Sequence, residues 1–274
     1  SLVERENPDV VINAAAKVGG IVANNSLRTE FIIENLKINM NIFESCLKNK
    51  NIRIINLGSS CIYPLNAPNP IKEEYFMNGK LEPTNSPYAM AKIAAIEIGD
   101  AVSKQYGNEV INLMPTNLYG PNDRFSENDS HVIPGLIYRM HLAKIREDET
   151  FSIWGTGTPL REFLYVDDLA KAIEFLLDVE WTNNILNIGS NNEISIKDLS
   201  YLIKEVLSFN GEIVFDNSKP DGNPRKLLDS SLINNMGWKA KENLESGLSK
   251  TYDWYLNSLD EWFKFIEIKY PKKK

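Results

Sequence analysis

Three short, largely apolar runs limit what this chain can fold into: Asp9-Val10-Val11-Ile12-Asn13-Ala14-Ala15, residues 52–57 and residues 110–114. A strand wetted on one side alternates apolar and polar residues, whereas an unbroken run suits a strand covered on both faces of a parallel sheet. Between the first two runs, Ile32, Leu36, Met40, Phe43 and Leu47 recur at helical spacing, which predicts a helix over about 30–47. A second helix is predicted from Ser86 to about Tyr106, ahead of the third run. Strands alternating with helices of this length imply an α/β fold, a parallel sheet with crossover helices.

Beyond residue 121 the character shifts to Asn, Asp, Ser and Glu, then to a helix from about Ile133. This reads as an excursion into a smaller second lobe. Residues 163–177, with Asp167-Asp168 near their start, predict a helix returning to the first lobe, followed by a strand over 184–188. Ser195 suits the cap of a helix over 196–207, residues 212–215 a strand of the second lobe, and the rest, Trp254 included, a helix to about 268. The domains expected are 1–120 with 162–190, and 121–161 with 191–274. A chain of 274 residues buries enough core for two such lobes.

The net charge of -7 argues against a nucleic-acid-binding face, and Lys272-Lys273-Lys274 reads as a solvated tail. No run approaches the roughly 18 apolar residues of a membrane span, and the first residues lack the apolar core of a signal peptide. Two cysteines make no disulfide framework and suit a reducing cytoplasm. Cys46 falls on the apolar stripe and reads as core. The two histidines lie outside any spaced Cys/His/Glu cluster, so no zinc site is expected.

The chemistry concentrates in Asn85-Ser86-Pro87-Tyr88-Ala89-Met90-Ala91-Lys92 and, upstream, Leu57-Gly58-Ser59-Ser60-Cys61-Ile62-Tyr63-Pro64. Ser86 suits a helix cap and Pro87 the first helical position, where its missing amide has no intrahelical partner to lose. Tyr88 and Lys92, four apart, then share one face. An ammonium beside a phenol lowers the phenol's pKa from about 10 and readies it for proton transfer. The Ser59 hydroxyl, at a strand end, would hold a substrate oxygen against that phenol. Ligands bind at such carboxyl ends of parallel strands.

These residues resemble the extended short-chain dehydrogenase/reductase family and, within it, the GDP-L-fucose synthase family. The same resemblance is carried by Ala14-Ala15-Ala16-Lys17-Val18-Gly19-Gly20-Ile21-Val22-Ala23-Asn24-Asn25, by Pro115-Thr116-Asn117-Leu118-Tyr119-Gly120-Pro121 and by Ser130-His131-Val132-Ile133-Pro134. It extends through Trp154-Gly155-Thr156-Gly157-Thr158-Pro159, Arg161-Glu162-Phe163, Lys219-Pro220-Asp221-Gly222 and Pro224-Arg225-Lys226-Leu227-Leu228-Asp229. The resemblance implies a Rossmann-like doubly wound parallel sheet with a smaller α/β substrate lobe, NADP(H) as cofactor and a GDP-sugar as substrate. It implies epimerisation of GDP-4-keto-6-deoxy-D-mannose at both carbons flanking the ketone, then reduction of the ketone. Cys61 and His131 match the base and acid of the epimerisation, Tyr88 the proton donor of the reduction. Lys92 matches the tuner of Tyr88 and a ligand of the nicotinamide ribose, and Ser59 the partner of the ketone. A thiol of pKa about 8.5 and an imidazole of about 6.5 both exchange protons near neutral pH. The thiol argues against a simple 4-epimerase or dehydratase of the same superfamily.

Ser60, Asn117, Val132, Leu136, Arg139, Trp154, Arg161 and Lys226 fall on substrate-binding positions, with Arg139, Arg161 and Lys226 supplying charge for a diphosphate. Ala15, Pro115, Leu118 and His131, with Lys92, fall on cofactor-binding positions. Trp154 suits a pocket wall or a core, Asn117 a sugar contact or a turn, and Asp167-Asp168 a helix start. The resemblance also implies a homodimer pairing the helix of Tyr88 with that of Ile32, a stripe that suits intramolecular core equally. The only Gly-x-Gly, Gly155-Thr156-Gly157, lacks the strand, helix and third glycine of a phosphate cradle. In the resembled family that cradle and two further strands precede the equivalent of Asp9. The expectation is therefore an N-terminally truncated sheet whose first strand is an exposed apolar edge, in a chain that is marginally stable alone. The other function considered is a non-catalytic nucleotide-sugar-binding fragment, or a related sugar-nucleotide epimerase or reductase.

Overall fold

A computed structural model describes residues 2–127, 129–219 and 221–269, with the backbone alone described at 21, 22 and 260–269. The closing lysines, 272–274, lie outside the described residues. In chain order the elements are α1 (Leu2–Glu6), β1 (Val10–Asn13), α2 (Ile21–Ser26), α3 (Arg28–Cys46), β2 (Arg53–Leu57), α4 (Ser86–Tyr106), β3 (Val110–Pro115), β4 (Asn117–Tyr119) and α5 (Val132–Ile145). There follow β5 (Thr150–Trp154), β6 (Leu160–Tyr165), α6 (Val166–Leu177), β7 (Ile185–Ile188), β8 (Glu193–Ser195), α7 (Ile196–Leu207), β9 (Glu212–Asp216), β10 (Arg225–Lys226), α8 (Ser231–Met236) and α9 (Leu244–Lys269).

The main sheet has the order β1-β2-β3-β7, parallel throughout. Each strand turns alternate residues to opposite faces, and both faces are covered. Ile54 and Val110 meet Phe43 and Cys46 of α3 and Ala95 and Val102 of α4. Ile55, Ile111, Leu113, Leu186 and Ile188 meet Leu169, Ala172 and Leu176 of α6 and, from the end of the chain, Ile233 and Trp238. This is the doubly wound layering that the unbroken runs predict. Strand β1 pairs with β2 alone among the described residues, and Ile12 stays 45% exposed at this edge.

A second sheet, β10-β6-β4 with β8 antiparallel on β6, leads into the smaller lobe. There β5 and β9 form a parallel pair, and α5, α7 and α9 enclose a core around Ile137, Met140, Ile203, Leu207 and Leu248. Ser195 caps α7 as predicted, its Oγ accepting from Asp198 N at 2.9 Å. No described helix is long and apolar enough to cross a membrane.

Three expectations need correction. Residues 163–165 are strand, not helix: Phe163, Leu164 and Tyr165 pair with β4, and α6 starts only at Val166. Aromatic and branched side chains fit a pleated, buried ladder better than a first helical turn. Asn85, not Ser86, is the cap residue of α4, and the donors ahead of the helix are met by Glu82, whose Oε2 accepts from Thr84 N, Thr84 Oγ1 and Asn85 N. The third concerns α3, whose buried face is Phe31, Asn35, Asn39, Phe43 and Cys46, while Ile33 and Met40 are 44% and 49% exposed.

Two asparagines displace the apolar stripe because a polar ladder lies beneath them. Asn13, Asn56 and Asn112 sit opposite one another on β1, β2 and β3. Asn13 Nδ2 donates to Asn56 Oδ1 at 2.9 Å and to Asn39 Oδ1 at 3.0 Å. Asn56 Nδ2 donates to Asn112 Oδ1 at 2.8 Å, and Asn112 Nδ2 to Asn184 O at 3.0 Å. A buried amide is tolerated when its partners are supplied, and this row supplies them across three strands and a helix.

Candidate functional site

Strand β2 ends at Leu57 and the chain turns at once. Gly58 passes so close to the Met114 side chain that a Cβ there would overlap it. Ser59 is extended and its Oγ accepts from Cys61 N at 3.3 Å, which sets a short 3-10 turn over Ser60–Ile62. The turn is fastened from behind: Tyr63 Oη donates to Asn187 Oδ1 at 2.6 Å, and Ile62 and Tyr63 pack with Ile71, Ile93, Ile96, Met114 and Leu228. Ser60 and Cys61 are left 5% and 7% exposed.

Helix α4 brings Tyr88 and Lys92 to the same strand end. Tyr88 packs edge-on against Phe31, its ring centroid 6.2 Å away. The Lys92 ammonium, almost fully buried, donates to Leu57 O at 2.7 Å and lies 5.8 Å from the Tyr88 ring centroid. Burial pushes the Tyr88 phenol well above its ordinary range, and the Cys61 charge adds to that. Burial likewise lowers Lys92, with Cys61 opposing. The phenol is therefore not held low by its ammonium neighbour, contrary to the expectation from spacing. Lys92 is committed to a carbonyl, and desolvation of the ring outweighs its field. A phenol in this state keeps its proton.

Around Cys61 the opposing effects are visible. Burial dominates and leaves the thiol's pKa above its ordinary value, while Lys226, the Ser59 hydroxyl and Lys92 pull it back down. His131 is the exposed cap residue of α5, without a side-chain bond to the helix amides. The segment ahead of it is tied down: Ser130 Oγ accepts from Ser126 N at 2.6 Å, and Phe125 stacks on Tyr255 at 4.7 Å. Asp123 faces His131, whose charge opposes the upward push of burial on its carboxyl. The Gly20 backbone passes against Ser130 O, so the segment after β1 meets this one.

The other predicted residues divide. Trp154, at the end of β5, is 63% exposed with the Lys219 ammonium 5.8 Å from its ring centroid, so the core alternative is excluded. Arg161 lies opposite Lys226 across the β6–β10 pair, and burial lowers the pKa of both. The Arg139 guanidinium sits 5.3 Å over the Phe151 ring. Asn117 Nδ2 donates to Glu162 O at 2.8 Å, which fixes its amide. Val132 is exposed, but Leu136 is only 4% exposed and belongs to the core of the smaller lobe, because its helix turns that face inward. Pro115 ends β3, buried; Leu118 packs on the main core; Ala15 is exposed and donates its N–H to Asn13 Oδ1.

Two buried carboxylates hold the site's surroundings in roles the sequence reading did not give them. Glu162, fully buried, accepts from Asn191 N at 2.7 Å and Leu228 N at 3.1 Å. Asp168, expected to serve only the start of its helix, accepts from Lys241 N at 3.0 Å and Glu242 N at 2.8 Å. A carboxylate at the head of the apolar run Phe163-Leu164-Tyr165 was the available signal for Glu162.

Residues 1–189 match the profile of the NAD dependent epimerase/dehydratase family. The chain is 51% identical to the probable GDP-L-fucose synthase 1 of Oryza sativa subsp. japonica over 255 residues, covering 93% of this chain and 78% of that protein. It is 49% identical to the GDP-L-fucose synthase of Sinorhizobium fredii (strain NBRC 101917 / NGR234), covering 93% and 81%. Among solved structures it resembles a GDP-L-fucose synthetase from Naegleria fowleri bound to NADP, with TM-score 0.85 at 28% identity, covering 94% of this chain and 80% of that one.

Proposed function

Since this chain belongs to the NAD dependent epimerase/dehydratase family and, within it, to the GDP-L-fucose synthases, we propose that its reaction is the conversion of GDP-4-keto-6-deoxy-D-mannose to GDP-L-fucose. The observation that carries this is the meeting of Ser59, Cys61, Tyr88 and Lys92 at the carboxyl end of β2. A hydroxyl, a thiol, a protonated phenol and an ammonium in one place serve both halves of the reaction.

The ketone makes the protons on its two neighbouring carbons acidic. Cys61, as thiolate, removes one such proton; the electron pair left on carbon moves toward the ketone, whose oxygen takes up the charge. Ser59 and Tyr88 donate hydrogen bonds to that oxygen and stabilise it. His131 returns a proton from the opposite face, which inverts the centre, and the sequence repeats at the second carbon. The residues present fit the nicotinamide end of NADP(H): Lys92 and Tyr88 beside the end of β2, Ala15 beyond β1, Pro115 and Leu118 around the end of β3. When bound, the cofactor supplies the hydride. Tyr88 gives its proton to the ketone oxygen at that stage, and Lys92 steadies the phenolate left behind.

Arg139, Arg161 and Lys226 supply the charge for the diphosphate, and Trp154 the aromatic surface for the nucleoside. The lobes divide at 120–121, 161–162 and 190–191, except that α8 and Trp238 pack back on the main sheet, with the sugar nucleotide between the lobes. Two copies pair through α3 and α4, whose outer face leaves Ile33, Met40 and Met90 exposed. A reducing cytoplasm suits the two free, buried cysteines.

The test is to supply the chain with GDP-4-keto-6-deoxy-D-mannose and NADPH in deuterated water. The expected result is loss of nicotinamide absorbance, with GDP-L-fucose as product and deuterium at both carbons flanking the former ketone. Reduction without deuterium uptake would remove the epimerase half of the proposal.

A further inference from the structure

Cys61, proposed as the base of the epimerisation, has more than one cation beside it, and any role for the second cation rests on that reading of the thiol. The titratable groups facing the Cys61 thiol are Lys92 and Tyr88 from α4 and Lys226 from β10. Lys92 is already engaged: its ammonium donates to Leu57 O and lies by the phenol. Burial pulls the pKa of Lys226 down; against that, Cys61 and Glu82 favour its charged form, while Arg161 opposes it.

The backbone that presents Lys226 is fastened residue by residue. Lys226 is in register with Arg161. Leu227 N donates to Asn69 Oδ1, and Ile71 N to Leu227 O, both at 2.8 Å. Leu228 N donates to Glu162 Oε2 at 3.1 Å, and Asp229 N to Ile71 O at 2.8 Å. Leu228 then packs with Ile62 and Tyr63, the two residues that follow Cys61. So much fastening for a two-residue strand is out of proportion to a flexible contact with a phosphate. It lays the strand against the turn that carries the thiol and fixes where the Lys226 stem leaves the backbone.

We propose that Lys226 is the counter-cation of the Cys61 thiolate, a positioning residue that offsets the cost of charging the thiol in its buried turn. Lys92 remains with Tyr88 for the reduction, so each half of the reaction has its own ammonium. Lys226 thus acts before the diphosphate is considered, and acts in the free enzyme.

The experiment uses the full chain and three variants: Lys226→Met, which keeps the apolar stem, Lys226→Gln and Lys226→Arg. Iodoacetamide alkylation is followed against pH and read on the Cys61 peptide by mass spectrometry, which separates it from Cys46. Loss of an adjacent opposite charge shifts a pKa by about 1–3 units, so the midpoint for Cys61 should rise by about one unit or more in the Met and Gln variants and return in the Arg variant. Deuterium uptake into substrate at neutral pH should fall about tenfold for that one-unit shift and recover at higher pH. An unmoved alkylation midpoint in the Met and Gln variants, with only a raised KM for the GDP-sugar, would overturn the proposal and leave Lys226 as a phosphate ligand. A misfolded Gln variant leaves the Met variant to decide. Alkylation needs no substrate, so it reads the pairing of Lys226 with Cys61 separately from turnover of GDP-4-keto-6-deoxy-D-mannose, which tests the proposed function.

Discussion

The asparagine ladder makes a quantitative demand. Replacing Asn56 by Leu removes two bonds at a fully buried position, the one accepted from Asn13 and the one donated to Asn112. Asn13 Nδ2 keeps Asn39 Oδ1 as acceptor, so that loss is an ordinary hydrogen bond of about 1 kcal/mol. Asn112 Oδ1 is left buried without the donor it had, which costs about 1–3 kcal/mol. The single substitution should therefore destabilise by about 2–4 kcal/mol. Asn112→Leu strands the Asn56 amide and gives up the bond to Asn184 O, for a similar loss. In the double variant the two stranded groups vanish together. Its cost should fall short of the sum of the singles by about 2–6 kcal/mol, one penalty of about 1–3 kcal/mol for each stranded group. Urea unfolding of the four proteins, followed by tryptophan fluorescence, measures each term. Costs that add to within about 0.5 kcal/mol, as distant sites do, would mean that the ladder is a row of independent amides and not a connected network.

Three further outcomes are expected. Arg53 sits 4.0 Å from the Trp181 ring and donates to Leu177 O and Val179 O, so Arg53→Ala should lower stability by about 1–3 kcal/mol with kcat unchanged, and Arg53→Lys should not restore it, since an ammonium lacks the planar fork. Trp154→Ala should raise KM for the GDP-sugar several-fold with an unchanged Tm, because the ring is 63% exposed; a fall in Tm would place Trp154 in the core after all. Burial holds the Glu162 carboxyl above its ordinary range. Such a group favours the folded state fully below the ordinary carboxylate pKa and loses that contribution as pH rises through the raised value. Tm measured against pH should then fall more steeply for the wild type than for Glu162→Gln above about pH 4, and parallel curves would refute this.

How far the fold could be read in advance depends on which residues speak for themselves. Residues 53–57 and 110–114 lie within the central strands because an unbroken apolar run has one comfortable place, between two layers of helix. Ser195 announced α7 because a hydroxyl ahead of an amphipathic stretch has a specific partner to meet. What stayed hidden depends on partners far along the chain. Asn35 and Asn39 look like solvent-facing residues until Lys17 and Asn13 arrive to bond them. Strand β6 reads as the start of a helix because its ladder partners, β4, β8 and β10, come from three separate segments. At the site, motif spacing located Ser59, Tyr88 and Lys92 but misjudged the phenol, since spacing reports distance and not burial. Leu136 shows a second limit: its place in a matching motif says nothing of which way its helix is turned, and the side chain packs in the core of the smaller lobe.

The two-residue strand β10 has one more consequence. Lys226 stands 165 residues after Cys61 (226 minus 61), and the strand is seated by bonds to Asn69, Ile71, Arg161 and Glu162. Chains fold from the N-terminus while they are being made, so the turn bearing the thiol leaves the ribosome long before its cation. On the proposal made above, Cys61 meets its counter-charge only after Lys226 has been made and β10 has been seated, so the thiol of an unfinished chain lacks the cation that would favour its charged form.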